Sequence, residues 1–271
     1  MDTITALAEI GVSGKSLSDR QRRQFDTDGF FIIEDALSGE ECDRMAAEFD
    51  RLVAVEQRQS AVIIDPEPGV SQLSDLFNKS QVFDPCLEVP AALQASAELL
   101  GEIKIHGANI REPWQGKGLQ PLHSDVTKLG PEDWQVTNIL FLIDPLTEEN
   151  GATRIVPGSH RWVHLNVPAC NIFDDSPRTG VPGSNENIPS DPLASYPGEV
   201  RITSERGAAA VVNAHIWHGG TENTNGRRRR MLHLTYTRRD LPQQFEQRKY
   251  LTPGLYRRLS RSQRFLCDVE K

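Results

Sequence analysis

The sequence predicts a mainly β protein with flanking α-helices. Three observations carry this. The first hundred residues hold helix-compatible segments with capping signals. Beyond residue 101 the chain breaks into short runs of β-branched and aromatic residues separated by turns. All seven histidines, from His106 to His233, fall in that second part.

In chain order, Ser18 to Asp28 is polar and helix-compatible, and it runs into Gly29–Leu37, whose apolar Phe30–Ile33 reads as a buried strand. Ser38 with Glu41 three residues on forms a capping-box pattern. The helix that follows places Cys42, Met45, Ala46, Phe49, Leu52 and Val53 on one face. A second helix is expected over PAALQASAELLG, with Pro90 near its start and Gly101 just past its end. EIKIHGANIRE, QVTNILFLIDPL and TRIVPGSH then read as strands. So do GAAAVVNAHIWHG and RRRRMLHLTYTRR, joined by the polar turn TENTNG. Such spacing suits an all-β sandwich or barrel. Residues 168–198 are proline-rich and aperiodic, and are expected to form a lid loop over the site. The tail 241–271 is expected to be helical and basic, with solvated faces. The expected organisation is one domain over 1–271: a helix-rich part (18–105), a β core (106–240) and the tail.

Composition narrows the function. Formal net charge is −8, which disfavours sequence-independent nucleic-acid binding, where excess Lys and Arg must meet phosphates. Hydrophobic residues are 38% and charged residues 25%, ordinary for a soluble globular protein. No apolar run reaches the length of a membrane span, and the N-terminus does not read as a secretory signal. Cys42, Cys86, Cys170 and Cys267 lie far apart, so a thiolate zinc site is disfavoured and free thiols in a cytoplasmic protein are expected. The expected partner is a small-molecule substrate, with a monomer or homodimer as the assembly.

The chemistry centres on LHSDV. His123 and Asp125 stand two apart, so on an extended segment both point to one face and can chelate a divalent metal. Two histidines and one carboxylate on one triangular face leave the opposite face open, as in the facial triad of non-haem Fe(II) oxygenases. HxD alone is weak; its company strengthens it. AAAVVNAHIWHGGTENTNGRRRR supplies a histidine at a strand end, two glycines that let the backbone approach a bound ion, and arginines suited to hold a dicarboxylate.

Four blocks in order resemble the phytanoyl-CoA dioxygenase family of Fe(II)/2-oxoglutarate-dependent oxygenases: FDTDGFFIIEDALSGEE, QPLHSD, LIDPLTEENGATRIVPGSH and WHGGTENTNGRRRR. The resemblance spans about Phe25 to Tyr236. It implies a double-stranded β-helix (jelly-roll, cupin-like) barrel, with Fe(II) as metal, 2-oxoglutarate as cosubstrate and O2 consumed. His123 and Asp125 match the proximal ligands. His218, directly before Gly-Gly, matches the distal ligand and is preferred over His215, which would face the other way on an extended strand. The family arginine, about eleven residues beyond the distal ligand, falls on Arg229, with Arg227 in reserve. Thr153 is a further candidate for the cosubstrate carboxylate, and Gln120 for cosubstrate or substrate. Arg111 either faces the pocket or pairs with an exposed acid. Trp134 and Trp217 read as core or pocket wall, and His160 as a turn residue. In related halogenases a small residue replaces the carboxylate ligand; Asp125 therefore implies oxygen transfer rather than halogenation. The reaction implied is hydroxylation, or another oxidation, of an unactivated C–H bond with release of succinate and CO2. Two readings stand beside it: a non-catalytic or non-redox metal-binding barrel, and a zinc hydrolase or isomerase.

Overall fold

The computed structural model describes residues 1–56, 67–168 and 187–270. Helix α1 (Thr3–Glu9) opens the chain, and α2 (Asp19–Asp28) follows. Ser18 caps α2 in a full capping box with Gln21, and Gly29 ends it in the left-handed conformation, φ 84°, which glycine reaches without a steric penalty. That reversal launches β1 (Phe30–Ile33). Ser38 and Glu41 form the expected reciprocal bonds at the start of α3 (Gly39–Glu56). Cys42, Met45, Phe49 and Leu52 are its buried face. Strand β2 (Val70–Ser74) and helices α4 (Leu76–Lys79) and α5 (Pro90–Leu100) lead to the β core.

The core strands are β3 (Ile103–Pro113), β4 (Val136–Leu142), β5 (Thr153–Ile155), β6 (Val200–Ile202), β7 (Ala209–Asn213), β8 (His218–Gly220) and β9 (Met231–Arg238). They form two antiparallel sheets. One has six strands in the order β1-β7-β4-β9-β3-β2, and the other has three in the order β6-β5-β8. Period-2 alternation sorts the side chains between two cores. Ile139, Phe141, Val211, Leu232 and Leu234 pack against the helices. Leu140, Leu142, Val212 and Met231 pack between the sheets with Ile155 and Ile202.

Three expectations are corrected. The described strands do not close into a barrel: they form two separate sheets, and the pairings at His123–His218, Leu146–Ser204 and Asn150–Asn223 are isolated bridges rather than a continuous ladder. The expected single strand GAAAVVNAHIWHG is two strands in different sheets, because the chain turns at Ala214–Ile216, where the Ile216 N–H bonds the Asn213 carbonyl. The tail is not simply solvated. Leu255, Leu259, Phe265, Leu266 and Val269 enter the helix-side core, and Arg239 and Arg258 are paired to Asp268 and Asp84. Strands β2 and β6 and helix α1 were not expected from periodicity; each is short, and tertiary pairing supplies what local pattern does not. Most of the expected lid, residues 169–186, lies outside the described residues. The described part of that loop is anchored by Arg154, a buried guanidinium that donates to the carbonyls of Pro192, Ala194 and Gln120. Cys42, Cys86 and Cys267 are buried free thiols. Among the described residues no helix is long and apolar enough to cross a membrane.

Candidate metal centre

The segment carrying His123 is held extended against the start of β8. His123 and His218 exchange both backbone hydrogen bonds, each 2.9 Å, and the Asp125 N–H bonds the Ala214 carbonyl at 3.0 Å. This pairing sets the two imidazoles side by side, ring centroids 4.4 Å apart. Asp125 Oδ1 lies 3.6 Å from His123 Nε2 and 3.5 Å from His218 Nε2. One ligand atom from each of the three falls within 4.8 Å of the others.

The tautomers follow from the backbone. His123 Nδ1 lies 2.8 Å from the Pro121 carbonyl and His218 Nδ1 lies 3.0 Å from the Ile216 carbonyl. A carbonyl only accepts, so each Nδ1 carries the proton and each Nε2 lone pair faces Asp125, the arrangement of a metal-ligating histidine. Asn138, on β4, donates to Asp125 Oδ2 at 2.5 Å and fixes the carboxylate. When no cation is bound the Nε2 atoms can take protons as well; burial then raises the Asp125 pKa, but the charge of protonated His218 and hydrogen bonds from both Nε2–H groups outweigh it and hold the carboxyl well below its ordinary range. Burial lowers the His218 pKa, but Asp125 overcomes it and the net shift is upward. Two nitrogens and one anionic oxygen, oriented by the Pro121 and Ile216 carbonyls and the Asn138 amide, suit a divalent cation of intermediate softness.

His215 is elsewhere. It sits in the turn between the two strands, its Nε2 accepting from the Gln135 N–H at 3.1 Å. Trp134 packs beside both His215 and His160, with the Lys128 ammonium 4.0 Å over its ring. The turn, rather than strand alternation, separates His215 from His218. Burial pulls the His215 imidazole down to about 3, with the Lys128 charge adding to it, and pulls His160 down to about 4. Both pKa values fall below the unfolded value, so the unfolded chain binds more protons in acid. Stability is therefore full above about pH 6.5 and lost as pH falls toward these values, by on the order of 3 kcal/mol per histidine. Urea unfolding followed from pH 7 to pH 4.5 should show a falling midpoint; a level profile would contradict it.

A pocket opens beside these three side chains, lined among others by Arg111, Gln120, Asn138, Thr153, Arg229 and His233. Arg229 is buried, its Nη2 3.4 Å from Thr153 Oγ1 and its Nε without a partner among the described residues. Burial, then the nearby Arg111 charge, lowers it to about 10, Glu67 partly offsetting this. Its neighbours differ. Arg228 is tied to Glu112 and Asp50, Arg230 to Asp144 and Asp50, and Arg227 is exposed and away from the pocket wall. Gln120 lines the pocket with its amide engaged at both ends, accepting from the Gly220 N–H and donating to Glu67. The two glycines serve a packing need. A Cβ at Gly219 would sit 3.0 Å from the carbonyls of Gln120 and Pro121, and one at Gly220 would collide with the Gly118 carbonyl.

Asn138, Glu67 and His233 escaped sequence reasoning. Asn138 carried a usable signal, a polar residue inside the apolar run TNILFL; the other two depend on register and loop path.

Several known proteins are similar to this chain. An ectoine dioxygenase from Bordetella parapertussis is 25% identical over 228 residues, covering 79% of this chain and 73% of that one. An L-proline trans-4-hydroxylase from Streptomyces griseoviridis is 24% identical over 253 residues, covering 84% and 89%. Among solved structures, EctD from S. alaskensis with bound Fe superposes with a TM-score of 0.63 at 23% identity, covering 83% of this chain and 78% of that one. HygX from Streptomyces hygroscopicus with nickel and 2-oxoglutarate bound gives 0.62 at 18% identity, covering 84% and 89%. The family model for phytanoyl-CoA dioxygenase matches residues 25–231. The fold, the two-histidine, one-carboxylate centre and this match agree: the chain belongs to the phytanoyl-CoA dioxygenase family of Fe(II)/2-oxoglutarate-dependent oxygenases.

Proposed function

We propose that His123, Asp125 and His218 hold Fe(II), that Arg229 with Thr153 holds the C5 carboxylate of 2-oxoglutarate, and that the chain hydroxylates a small-molecule metabolite. One observation carries the assignment: a buried guanidinium whose Nε is unpaired among the described residues opens into the same pocket as three converging candidate ligands. A buried cation without a carboxylate is costly, and a dicarboxylate cosubstrate supplies the missing partner. Bound iron and 2-oxoglutarate supply the oxidising power, consuming O2 and releasing succinate and CO2.

The protein's part is positioning and exclusion of water. The carbonyls of Pro121 and Ile216 lock the imidazole tautomers, and Asn138 orients Asp125. Gln120 acts as a positioning residue, bridging the Gly220 N–H and Glu67. Leu140, Ile155, Val212 and Met231 give the pocket an apolar wall. The two facing sheets are read as a jelly roll, and the helix-rich part, β core and tail as one domain. A small substrate agrees with the relatives named for ectoine and L-proline.

Anaerobic addition of Fe(II) and 2-oxoglutarate should produce a visible charge-transfer absorption. A wild-type protein that binds neither, judged by this band and by equilibrium dialysis, would refute the assignment.

A further inference from the structure

Away from the metal ligands, one wall of the pocket is polar. Strand β3 contributes Asn109 and Arg111, and β9 contributes His233, which pairs directly with Asn109 in the sheet. Arg111 makes two long contacts, Nη1 to Glu67 Oε2 at 3.4 Å and Nε to Asn109 Oδ1 at 3.3 Å. A guanidinium has five N–H donors, so most of its capacity is unspent. His233 Nε2 is buried and has no partner among the described residues.

Charge counting adds a constraint. The charged side chains among the described lining residues are Glu67, Asp125, Arg111 and Arg229, two of each sign. On the oxygenase reading above, on which this inference rests, Fe(II) and the 2-oxoglutarate dianion cancel each other. Asp125 and one cosubstrate carboxylate then face the metal, the other carboxylate faces Arg229, and Glu67 faces Arg111. Every charge has an opposite partner and nothing is left over. A substrate with net charge would bring an unmatched charge into a confined site, where it is costly.

We propose that the primary substrate is a small zwitterion, its carboxylate taken by Arg111 and its cationic group by Glu67, with Asn109 and His233 offering neutral hydrogen bonds beside them. The long Arg111–Glu67 contact is the seam it enters, exchanging one ion pair for two. The same balance disfavours polyanions such as acyl-CoA thioesters and polycations.

The test is anaerobic binding by calorimetry to protein loaded with Fe(II) and 2-oxoglutarate. The probes are matched triplets on several amino-acid scaffolds, L-proline among them: the free zwitterion, its N-acetyl monoanion and its amide monocation. A set of neutral sugars completes the panel. The expected result is binding confined to zwitterions, weakened on the order of a hundredfold in either charged analogue. Glu67→Gln should move the preference toward the monoanion, and Arg111→Gln toward the monocation. Tighter binding of a singly charged analogue or a sugar, or no binding across the panel, overturns the proposal. So does an unchanged preference in both variants. The charge-transfer band of the loaded protein is read first: its absence refutes the oxygenase assignment instead, so the two failures are distinguishable.

Discussion

His218→Ala should abolish metal-dependent succinate release, lowering it by more than about a hundredfold, since even changes to groups that merely support a ligand cost about 10–100-fold in affinity or activity. The reason is geometric. His218 Nε2 is one of only two imidazole nitrogens directed at Asp125, and its Nδ1 is already committed to the Ile216 carbonyl. The other ring nitrogen cannot substitute, and neither can His215, whose Nε2 accepts from Gln135. His215→Ala should therefore retain iron at wild-type stoichiometry. It should lose stability by about 1–3 kcal/mol, because the buried Gln135 N–H is left without its acceptor. Iron content of folded protein and succinate release together check both variants. Iron loss in His215→Ala with retention in His218→Ala would reverse the ligand assignment.

Arg229→Ala should raise the 2-oxoglutarate requirement by roughly two orders of magnitude, the scale expected when one partner of a buried charge pair is removed. Stability of the protein without cosubstrate should behave differently. There Arg229 is a buried cation with no carboxylate bonded to it among the described residues, and burial, then the Arg111 charge, lowers its pKa. Removing it relieves an uncompensated charge, so thermal stability without cosubstrate should hold or rise while the stabilisation given by 2-oxoglutarate disappears. Arg227→Ala should change neither, because that side chain is exposed and away from the pocket wall. Thermal unfolding with and without 2-oxoglutarate, beside a cosubstrate titration of turnover, reads all of these. A raised requirement in Arg227→Ala alone would move the assignment two residues back.

Family membership also explains why so much was legible in one sequence. The capping box at Ser38 and Glu41 and the strand runs of β3, β4 and β9 are local patterns, and local physics is enough to produce them. The spacing of His123 and Asp125 is local in the same sense: two side chains two apart on an extended segment share a face wherever that segment lies.

What the sequence by itself determined, then, was the class of chemistry: a pair of candidate ligands two apart, a third candidate ahead of Gly-Gly, and an arginine cluster on the strand beyond. Tertiary structure decided how these residues are used. A turn at Ala214–Ile216 carries the chain from one sheet to the other, and this separates His215 from His218 where strand alternation had been expected to do so. Acidic partners on distant elements engage Arg228 and Arg230, leaving Arg229 as the arginine of the cluster that is buried without a carboxylate partner among the described residues. Asn138, Glu67 and His233 reach the pocket only through sheet register and loop path. The physical reason is common to all three: which face a residue presents is set nearby in the chain, but what meets it there depends on segments tens of residues away.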